Sequence, residues 1–246
     1  MAVKRFVLWF LVLVVLAGAL AGMHLFSKSR TSQLFGDIIA RVETDKPVVA
    51  LTFDDGPSPR FTQDVLNILR DRNVTATFFL TGKEIEENLP LARLVIAAGH
   101  EIGNHSYSHS SMAWMGSTRV KEEIERTDVA IRAAGYQGEI LFRPPYGKKL
   151  VTLPWYLSQH DRKTIMWDVE PESFPEVADN AEAMTRYVLD NARSGSIIIL
   201  HVMYRSRDVS RQALPQIIDG LRQRGFEFVT VSQLLQNGSL NPDGSK

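Results

Sequence analysis

The chain of 246 residues contains no cysteine. This absence excludes a disulfide scaffold, a zinc site built from thiolates, a thiol nucleophile and a lipid-modified cysteine anchor. There is no excess of one charge either, because 28 lysines and arginines balance 28 aspartates and glutamates. No overall basic field therefore attracts nucleic acid, and we expect no nucleic-acid partner. Hydrophobic residues make up 44% of the chain and charged residues 23%, and these proportions exclude a disordered or low-complexity protein.

One long hydrophobic run lies near the N-terminus, from Phe6 to Met23. Its 18 residues are all apolar or small, and Lys4 and Arg5 precede them. A run of this length is close to the minimum that crosses a bilayer, and it is too uniform for an ordinary amphipathic helix. A buried core helix fits these residues less well. We therefore expect a membrane-targeting segment.

Two fates of this segment agree with its residues. In one, it is a secretory signal peptide with a small-x-small cleavage site at 19–21, and the rest of the chain is secreted. In the other, which we favour, residues 6–26 stay in the membrane as an anchor, because the apolar character continues almost to Lys28 and Arg30. Both place the rest of the chain outside the cytoplasm, in the periplasm or at the cell surface.

The remainder of the sequence has the organisation of one domain. After a polar joint near residues 27–31, no linker, repeat or block of charge interrupts it before a short polar tail. We predict a signal-anchor or signal peptide at 1–30, a single domain at 31–236 and a polar tail at 237–246.

Short apolar runs in this domain alternate with segments in which apolar residues recur every three or four positions. The first pattern predicts strands and the second predicts helices. The predicted strands are 48–53, 75–80, 101–104, 140–142, 164–167, 196–200 and 226–229, and the predicted helices are 61–70, 84–98, 118–133, 181–192 and 211–224.

Seven strands that alternate with helices indicate parallel βα units. The run 196–200 is apolar at successive positions, as expected of a strand buried on both faces of a parallel sheet. We therefore predict an α/β fold, a distorted (β/α) barrel of about seven parallel strands behind an N-terminal hydrophobic helix. An open doubly wound sheet is the second interpretation.

In such folds the reactive groups lie at the carboxyl ends of the strands. Here the residues just after the predicted strands are rich in groups that bind metals or transfer protons. We expect their side chains to meet at one rim of the barrel. They are, in chain order, Asp54 and Asp55, His105 and His109, Arg143 and Tyr146, Asp168 and Glu170, and His201.

The two aspartates and the first two of these histidines together favour a metal site. Carboxylates at the end of a buried strand are costly unless they are paired, hydrogen-bonded or bound to a metal. His105 and His109 are four residues apart, a spacing that suits a divalent metal. Each pair also has an ordinary explanation, since Asp-Gly-Pro forms turns and hydrogen-bonded histidines are common. On one rim, however, they favour a site of two histidines and one carboxylate with open positions for water and substrate.

Three other polar residues need separate interpretation. His201 comes after a run of apolar residues and has the alternative of a core histidine, but its place at a strand end favours a functional role. Two prolines directly after Arg143 stiffen the backbone that carries it. His100 lies at a helix-to-strand turn on the opposite rim, and we interpret it as structural.

Four groups of residues, in this order along the chain, resemble the motifs of the polysaccharide deacetylases, the family-four carbohydrate esterases with a NodB homology domain. The resemblance spans roughly residues 40–235. Its motifs are Thr52-Phe53-Asp54-Asp55-Gly56-Pro57, His105-x-x-x-His109, Arg143-x-Pro145-Tyr146-Gly147 and Ile198-x-x-His201.

The resemblance implies metal-dependent hydrolysis of N- or O-acetyl groups on an acetylated sugar polymer, the activity of a hydrolase of non-peptide carbon–nitrogen bonds. It implies that Asp55, His105 and His109 hold a divalent metal ion, usually zinc in this family.

The resemblance also implies roles for four residues around that ion. Asp54 is expected to be the general base, with Arg143 orienting it. His201 is expected to be the general acid, and the backbone N–H of Tyr146 to stabilise the oxyanion.

One stretch departs from the family pattern. Where relatives commonly have Asp-Ser-x-Asp-Trp, which steadies the catalytic histidine and arginine and lines the acetyl pocket, this chain has Glu170-Pro171-Glu172-Ser173-Phe174. Either Glu172 or Asp168 is expected to supply the missing carboxylate. Phe174 is expected to offer an apolar wall for the acetyl methyl group.

Two other functions remain as alternatives. One is a metal-dependent amidase that acts on another C–N bond. The predicted export argues against it, because the plentiful amides outside the cytoplasm are polymers of the cell envelope. The other is a glycan-binding protein of the cell envelope that has lost catalysis, which the altered stretch suggests. Trp114 and Trp155 lie in two predicted substrate loops, 112–117 and 148–160. They are candidates to stack on sugar rings, and packing against the barrel is the equal alternative for each.

Overall fold

The computed structural model of the protein describes residues 2–238, so Met1 and residues 239–246 of the predicted tail lie outside the described residues. Helix α1, Ala2–Ser27, confirms the predicted N-terminal apolar helix. Its stretch Lys4–Ser27 is long and apolar enough to cross a membrane. At 1.5 Å per residue these 24 residues extend about 36 Å, compared with about 30 Å for the hydrocarbon core of a bilayer. The most apolar part of the helix is not buried against the rest of the protein.

Strands and helices alternate through the rest of the described chain. In chain order they are β1 Ile38–Ile39, β2 Val48–Asp54, α2 Thr62–Asp71, β3 Thr77–Leu80, α3 Gly82–Glu87, α4 Leu89–Ala97, β4 Glu101–Asn104, α5 Ser117–Ala133, α6 Thr152–Gln159, β5 Thr164–Ile165, α7 Pro175–Ala178, α8 Ala181–Asn191, β6 Ile197–His201, α9 Asp208–Gln223, β7 Glu227–Val229 and α10 Val231–Asn237.

Strand β2 occupies the centre of the sheet, and all seven of its residues are buried. It pairs in parallel with β6 on one side and with β3 on the other, and β4 pairs in parallel with β3. Strand β7 pairs with the first half of β2. The register of the central pair sets Asp54 opposite His201, so two of the predicted functional residues end neighbouring strands at the same level.

Two residues outside the named strands, Phe142 and Val169, form single-residue bridges that close the ring of strands. Phe142 bridges Asn104 of β4 and Thr164 of β5, and Val169 bridges Ile198 of β6. Backbone hydrogen bonds support both points, including one of 3.0 Å from the N–H of Ile199 to the carbonyl oxygen of Val169. The predicted fold class, a distorted (β/α) barrel of parallel strands, is confirmed.

Side chains alternate between two cores along the central strands. The residues of β2 and β6 that face the helices belong to the larger core: Val49, Leu51, Phe53, Ile198 and Leu200. The intervening residues Ala50, Ile197 and Ile199 belong to a smaller core. Asp54 and His201 continue this second row, so the alternation that buries the strands also carries both polar side chains to its end.

Two differences between the predicted and observed strands go beyond a shift of one or two residues at an end. The predicted strand 140–142 is wrong as a strand, because only Phe142 makes bridges there. Pro144 and Pro145 come soon after it, and proline cannot donate to a ladder. Strand β1 was not predicted, since two residues are too short to show a strand pattern; it pairs with β5.

The helices differ from prediction as well. The predicted helix 84–98 is two helices, α3 and α4, which meet at Asn88 with φ −132° and ψ 43°. Pro90 lies in the first turn of α4, where a helix does not need the N–H that proline lacks. Helix α6 occupies part of the stretch 148–160, which we expected to be a loop, and α10 precedes the tail.

Candidate active site

A cavity of about 660 Å³ opens at the carboxyl ends of the strands. The structure brings most of the predicted site residues to it: Asp54, Asp55, His105, His109, Tyr146, Glu170 and His201 all line the cavity. Arg143 lies beside it with no exposed surface. Asp168 does not line it, because its carboxylate accepts hydrogen bonds from Ser196 Oγ and the N–H of Ile197, each at 2.9 Å.

Asp55, His105 and His109 form a candidate metal site, since one ligand atom of each lies within 4.8 Å of the other two. Asp55 Oδ1 is 3.3 Å from His109 Nε2 and 3.9 Å from His105 Nε2. This carboxylate oxygen is buried and has no hydrogen-bond partner among the described residues. A buried polar atom without a partner is rare in a folded protein, and beside two imidazole nitrogens this one fits a bound cation.

The state of His105 agrees with ligand binding, and burial lowers the pKa of His109 as well. His105 Nδ1 lies 2.8 Å from the carbonyl oxygen of Arg143, and donation there leaves the lone pair of Nε2 directed at the site. Burial lowers the pKa of His105 to about 4, so this imidazole is neutral at physiological pH, as a metal ligand must be. Burial also raises the pKa of Asp55 to about 7. Two imidazole nitrogens and a carboxylate oxygen therefore fit a divalent metal ion.

The backbone is strained at two of these residues. Asp55 has a φ of 74° and His109 a φ of 55°, both in the left-handed region that non-glycine residues rarely adopt. Gly56 next to Asp55 has a φ of 79°, and a Cβ there would lie 2.8 Å from Met203 Cγ. Such strain persists only where the surroundings enforce it, and it is common at functional sites.

Asp54 is held by Arg143 directly behind the candidate metal site. Arg143 Nη1 donates to Asp54 Oδ1 at 2.6 Å and to Thr52 Oγ1 at 2.8 Å. The guanidinium also donates to the carbonyl oxygens of Ile165 and Met166. Burial by itself raises the pKa of Asp54, but the charge of Arg143, with His105 and His201, outweighs it and leaves that pKa below its ordinary value. Asp54 is therefore an ionised carboxylate in a fixed position.

His201 faces the cavity from β6, and Glu172 supports it. His201 Nδ1 forms a hydrogen bond with Glu172 Oε2, and the backbone N–H of His201 donates to Glu172 Oε1 at 3.0 Å. Ser210 Oγ donates to the same carboxylate. Of the two alternatives for the missing carboxylate, the structure places Glu172, not Asp168, against the histidine. Burial lowers the pKa of His201, but the hydrogen bond and charge of Glu172, with the charges of Asp54 and Asp55, outweigh it and raise that pKa to about 9.

Other aromatic residues lie differently from expectation. The Tyr146 ring contacts His109, with ring centres 4.7 Å apart. Phe174 does not line the cavity and packs on Tyr187 instead, with centres 5.1 Å apart. Trp114 and Trp155 do not line the cavity either.

Sequence reasoning missed several residues that line the cavity, among them Trp167, Lys28, Arg30 and Arg207. Trp167 lies just after β5, so its place near a strand end was a usable signal. Lys28 and Arg30 carry no such signal, because they do not follow a strand. The chain after α1 happens to run past the cavity and brings them there.

Hydrolysis of an acyl bond needs an acceptor for the proton of water, a donor for the leaving group and a polarising centre. The ionised carboxylate, the protonated imidazole and the candidate metal site have these properties within one cavity. The fold and the site therefore define a hydrolase.

Comparison with known proteins identifies the family. The sequence profile described as polysaccharide deacetylase matches residues 41–165. A peptidoglycan-N-acetylglucosamine deacetylase of Bacillus cereus is 31% identical over 201 residues, which are 82% of this chain and 94% of that protein. The chain belongs to the polysaccharide deacetylase family, and the predicted enzyme class is confirmed.

Solved structures agree with this assignment. The crystal structure of the Bc1960 peptidoglycan N-acetylglucosamine deacetylase superposes with a TM-score of 0.75 at 32% identity, covering 81% of this chain and 92% of that one. A second similar structure, BA3943 of Bacillus anthracis, is described as a pseudoenzyme of the family. Its TM-score is 0.73 at 28% identity, with 81% of this chain and 69% of that chain covered.

Proposed function

We propose that the protein removes N-acetyl groups from an acetylated amino-sugar polymer of the cell envelope, with a zinc ion held by Asp55, His105 and His109. The observation that carries the proposal is the buried Asp55 Oδ1, which has no partner among the described residues and faces two imidazole nitrogens. Bound there, zinc supplies Lewis-acid chemistry, polarising an acyl oxygen and making water more acidic.

Asp54 is the proton acceptor in this proposal. Its carboxylate is ionised, adjoins the candidate metal site and is 3.5 Å from His105 Nε2 through Oδ2. Arg143 holds the other oxygen, so the free oxygen keeps one direction toward the cavity. From this position it takes the proton of the water that attacks the acetyl carbonyl carbon, and the C–N bond breaks in the next step.

His201 is the proton donor to the leaving nitrogen. A pKa of about 9 keeps the imidazole protonated at neutral pH, and Glu172 fixes its orientation through Nδ1. Nε2 then carries the proton that the departing amine needs. The backbone N–H of Tyr146, a residue that also lines the cavity, is the proposed donor to the developing oxyanion.

The substrate and location are inferred from the relatives and from α1. Proteins similar to this chain are described as peptidoglycan or chitooligosaccharide deacetylases. Helix α1 either anchors the chain in the membrane or directs its export. Both fates would bring the domain to a polymer of acetylated amino sugars outside the cytoplasm. We propose that α1 stays as a membrane anchor and that the domain works on the outer side.

The test measures acetate release by the full chain in detergent from acetylated chitooligosaccharide, peptidoglycan and acetylated xylan, with zinc and with a chelator. We expect zinc-dependent release that Asp54→Asn lowers by about 10²- to 10⁴-fold, because the proton acceptor is lost. Asp64→Asn, at an exposed position of α2, is the matched control and is expected to behave like the wild type.

Two other outcomes are informative. Release that is unaffected by the chelator or by Asp54→Asn would reject the mechanism. If folded, zinc-loaded protein releases no acetate but still binds a glycan, the result would favour a glycan-binding protein that has lost catalysis. The similarity to BA3943, which is described as a pseudoenzyme, is the reason to measure this outcome.

A further inference from the structure

Residues 27–30 join α1 to the domain, and they lie against the barrel. The backbone N–H of Lys149 donates to the carbonyl oxygen of Ser27 at 2.9 Å, and the Lys149 ammonium donates to the carbonyl oxygen of Ser29. Ser27 and Lys149 are both buried. These contacts fix the path of the segment, so the side chains it carries are held in place.

Two basic side chains of this segment, Lys28 and Arg30, line the active-site cavity. The Arg30 guanidinium forms an ion pair with Glu170, which also lines the cavity. It lies 5.1 Å from the centre of the Trp167 ring. One side of the cavity is therefore built with residues that precede the predicted start of the domain.

Trp167 on this side has an unused hydrogen-bond donor. Its side chain is 5% exposed, and its indole N–H is buried with no partner among the described residues. A buried donor of this kind points to a ligand, as Asp55 Oδ1 does at the metal site. Because Trp167 lines the cavity, the hydroxyl and carbonyl oxygens of a sugar are suitable acceptors for this N–H.

We propose that Arg30 is a substrate-positioning residue that holds Trp167 and Glu170 in the orientation in which they bind the acetylated sugar. The inference rests on the proposed function, because it assumes that a glycan occupies the cavity. Loss of Arg30 leaves the Glu170 carboxylate without its cation and removes the group packed near the Trp167 ring. Sugar binding then weakens, while the groups that transfer protons stay in place.

The experiment uses the full chain in detergent and acetylated chitooligosaccharide as the probe. Arg30→Ala is expected to raise KM about tenfold, the scale of one charge-assisted hydrogen bond, with little change in kcat. Arg30→Lys keeps the charge near Glu170 and is expected to recover part of the loss. The matched control is Arg186→Ala, which removes an exposed ion pair with Glu182 on α8 and is expected to leave KM unchanged.

A binding measurement separates this inference from the proposed function. In the Asp54→Asn background, isothermal titration with the same oligosaccharide is expected to show a Kd about tenfold weaker once Arg30→Ala is added. An active wild type whose KM and Kd do not respond to Arg30→Ala would overturn the inference alone. A wild type that neither hydrolyses nor binds any glycan would overturn both. Thermal melting of each variant checks that the partly exposed Arg30 is not needed for folding.

Discussion

The two ends of the barrel bury the same kinds of residue and treat them differently. At the amino end, His100 Nδ1 accepts a hydrogen bond from the N–H of Ala76 at 3.2 Å, and Glu101 accepts one from Thr77 Oγ1 at 2.6 Å. At the carboxyl end, Asp55 Oδ1 has no partner among the described residues although two histidines lie beside it.

The difference shows that the same residue types can be satisfied by the protein at one end and left open to a cavity at the other. A buried histidine and a buried carboxylate are stable structural elements when the protein satisfies them. The same pair becomes a binding site when the protein leaves atoms directed at a cavity. His100, predicted from the sequence to be structural, makes such a satisfied contact.

Among the substitutions that test the contrast between the two ends of the barrel, His105→Ala is expected to have the largest effect. It removes one of three candidate ligands, so bound zinc and deacetylation should both be lost. Zinc at a hundredfold excess over its Kd stabilises a folded protein by about 2.7 kcal/mol, and this gain should disappear from thermal melts of the variant. Metal content after dialysis gives a second readout.

The matched control is His160→Ala, whose exposed side chain lies just after α6. It should retain both zinc and the zinc-dependent stabilisation. A His105→Ala variant that binds zinc as tightly as the wild type would contradict the ligand assignment.

An intermediate effect is expected from Glu172→Gln, which alters a satisfied carboxylate at the functional end. Burial lowers the pKa of His201 and Glu172 raises it to about 9, so removal of the Glu172 charge lets that pKa fall. The protonated imidazole is then lost at lower pH, and the alkaline limb of the pH–rate profile should move to lower pH. At a pH above both pKa values, the activity of Glu172→Gln should be lower than that of the wild type by about tenfold for each unit by which the pKa falls.

Glu176→Gln, an exposed change four residues away, serves as the control for that profile. An alkaline limb that stays in place in Glu172→Gln would show that Glu172 does not set the protonation of His201.

The smallest effect, on stability alone, is expected from His100→Gln at the amino end. Burial lowers the pKa of His100 from 6.5 to about 4. As the pH falls, the unfolded chain therefore protonates this imidazole at a higher pH than the folded protein does. The wild type should therefore lose stability as the pH falls from about 6.5 to 4, and it should be unaffected above that window. Glutamine keeps an acceptor for the N–H of Ala76 but does not titrate.

Melting temperatures of the zinc-loaded proteins across this pH range should fall less steeply for His100→Gln than for the wild type, with equal activity at pH 7. His160→Gln provides the control for a histidine in an exposed position. Equal slopes, or a loss of activity at neutral pH, would break the contrast between the two ends.

Much of the fold could be predicted from local patterns. The long buried strands β2 and β6 are continuous apolar runs, and the polar residues at their carboxyl ends, Asp54 and His201, were correctly expected on one rim. Strand β1 could not be predicted in this way, and the pairing at Phe142 was predicted as a three-residue strand, because one or two residues of pairing depend on neighbours that are distant in the sequence. The break at Asn88 does have a local signal in Pro90, since proline favours the first turn of a new helix.

The site was predictable where a functional residue sits directly at a strand end. Glu172 was one of two alternatives, and the path of the loop after β5 decides between them. Arg30 was beyond sequence reasoning, since its place beside Trp167 is set by contacts of the preceding segment with Lys149. The roles of Asp54, His201 and Tyr146 stay predictions.

The single-residue bridges of Phe142 and Val169 divide the cavity lining into two parts that are paired to different extents. Asp54 and His201 end paired strands, whereas Arg143, Tyr146 and Trp167 lie on the stretch attached through Phe142 and Val169. Amide hydrogens in this stretch should exchange with solvent sooner than those of β2, since fewer backbone pairs must open. A change in this stretch would therefore reach Asp54 only through the Arg143 side chain, because the strands that end in Asp54 and His201 pair directly with each other.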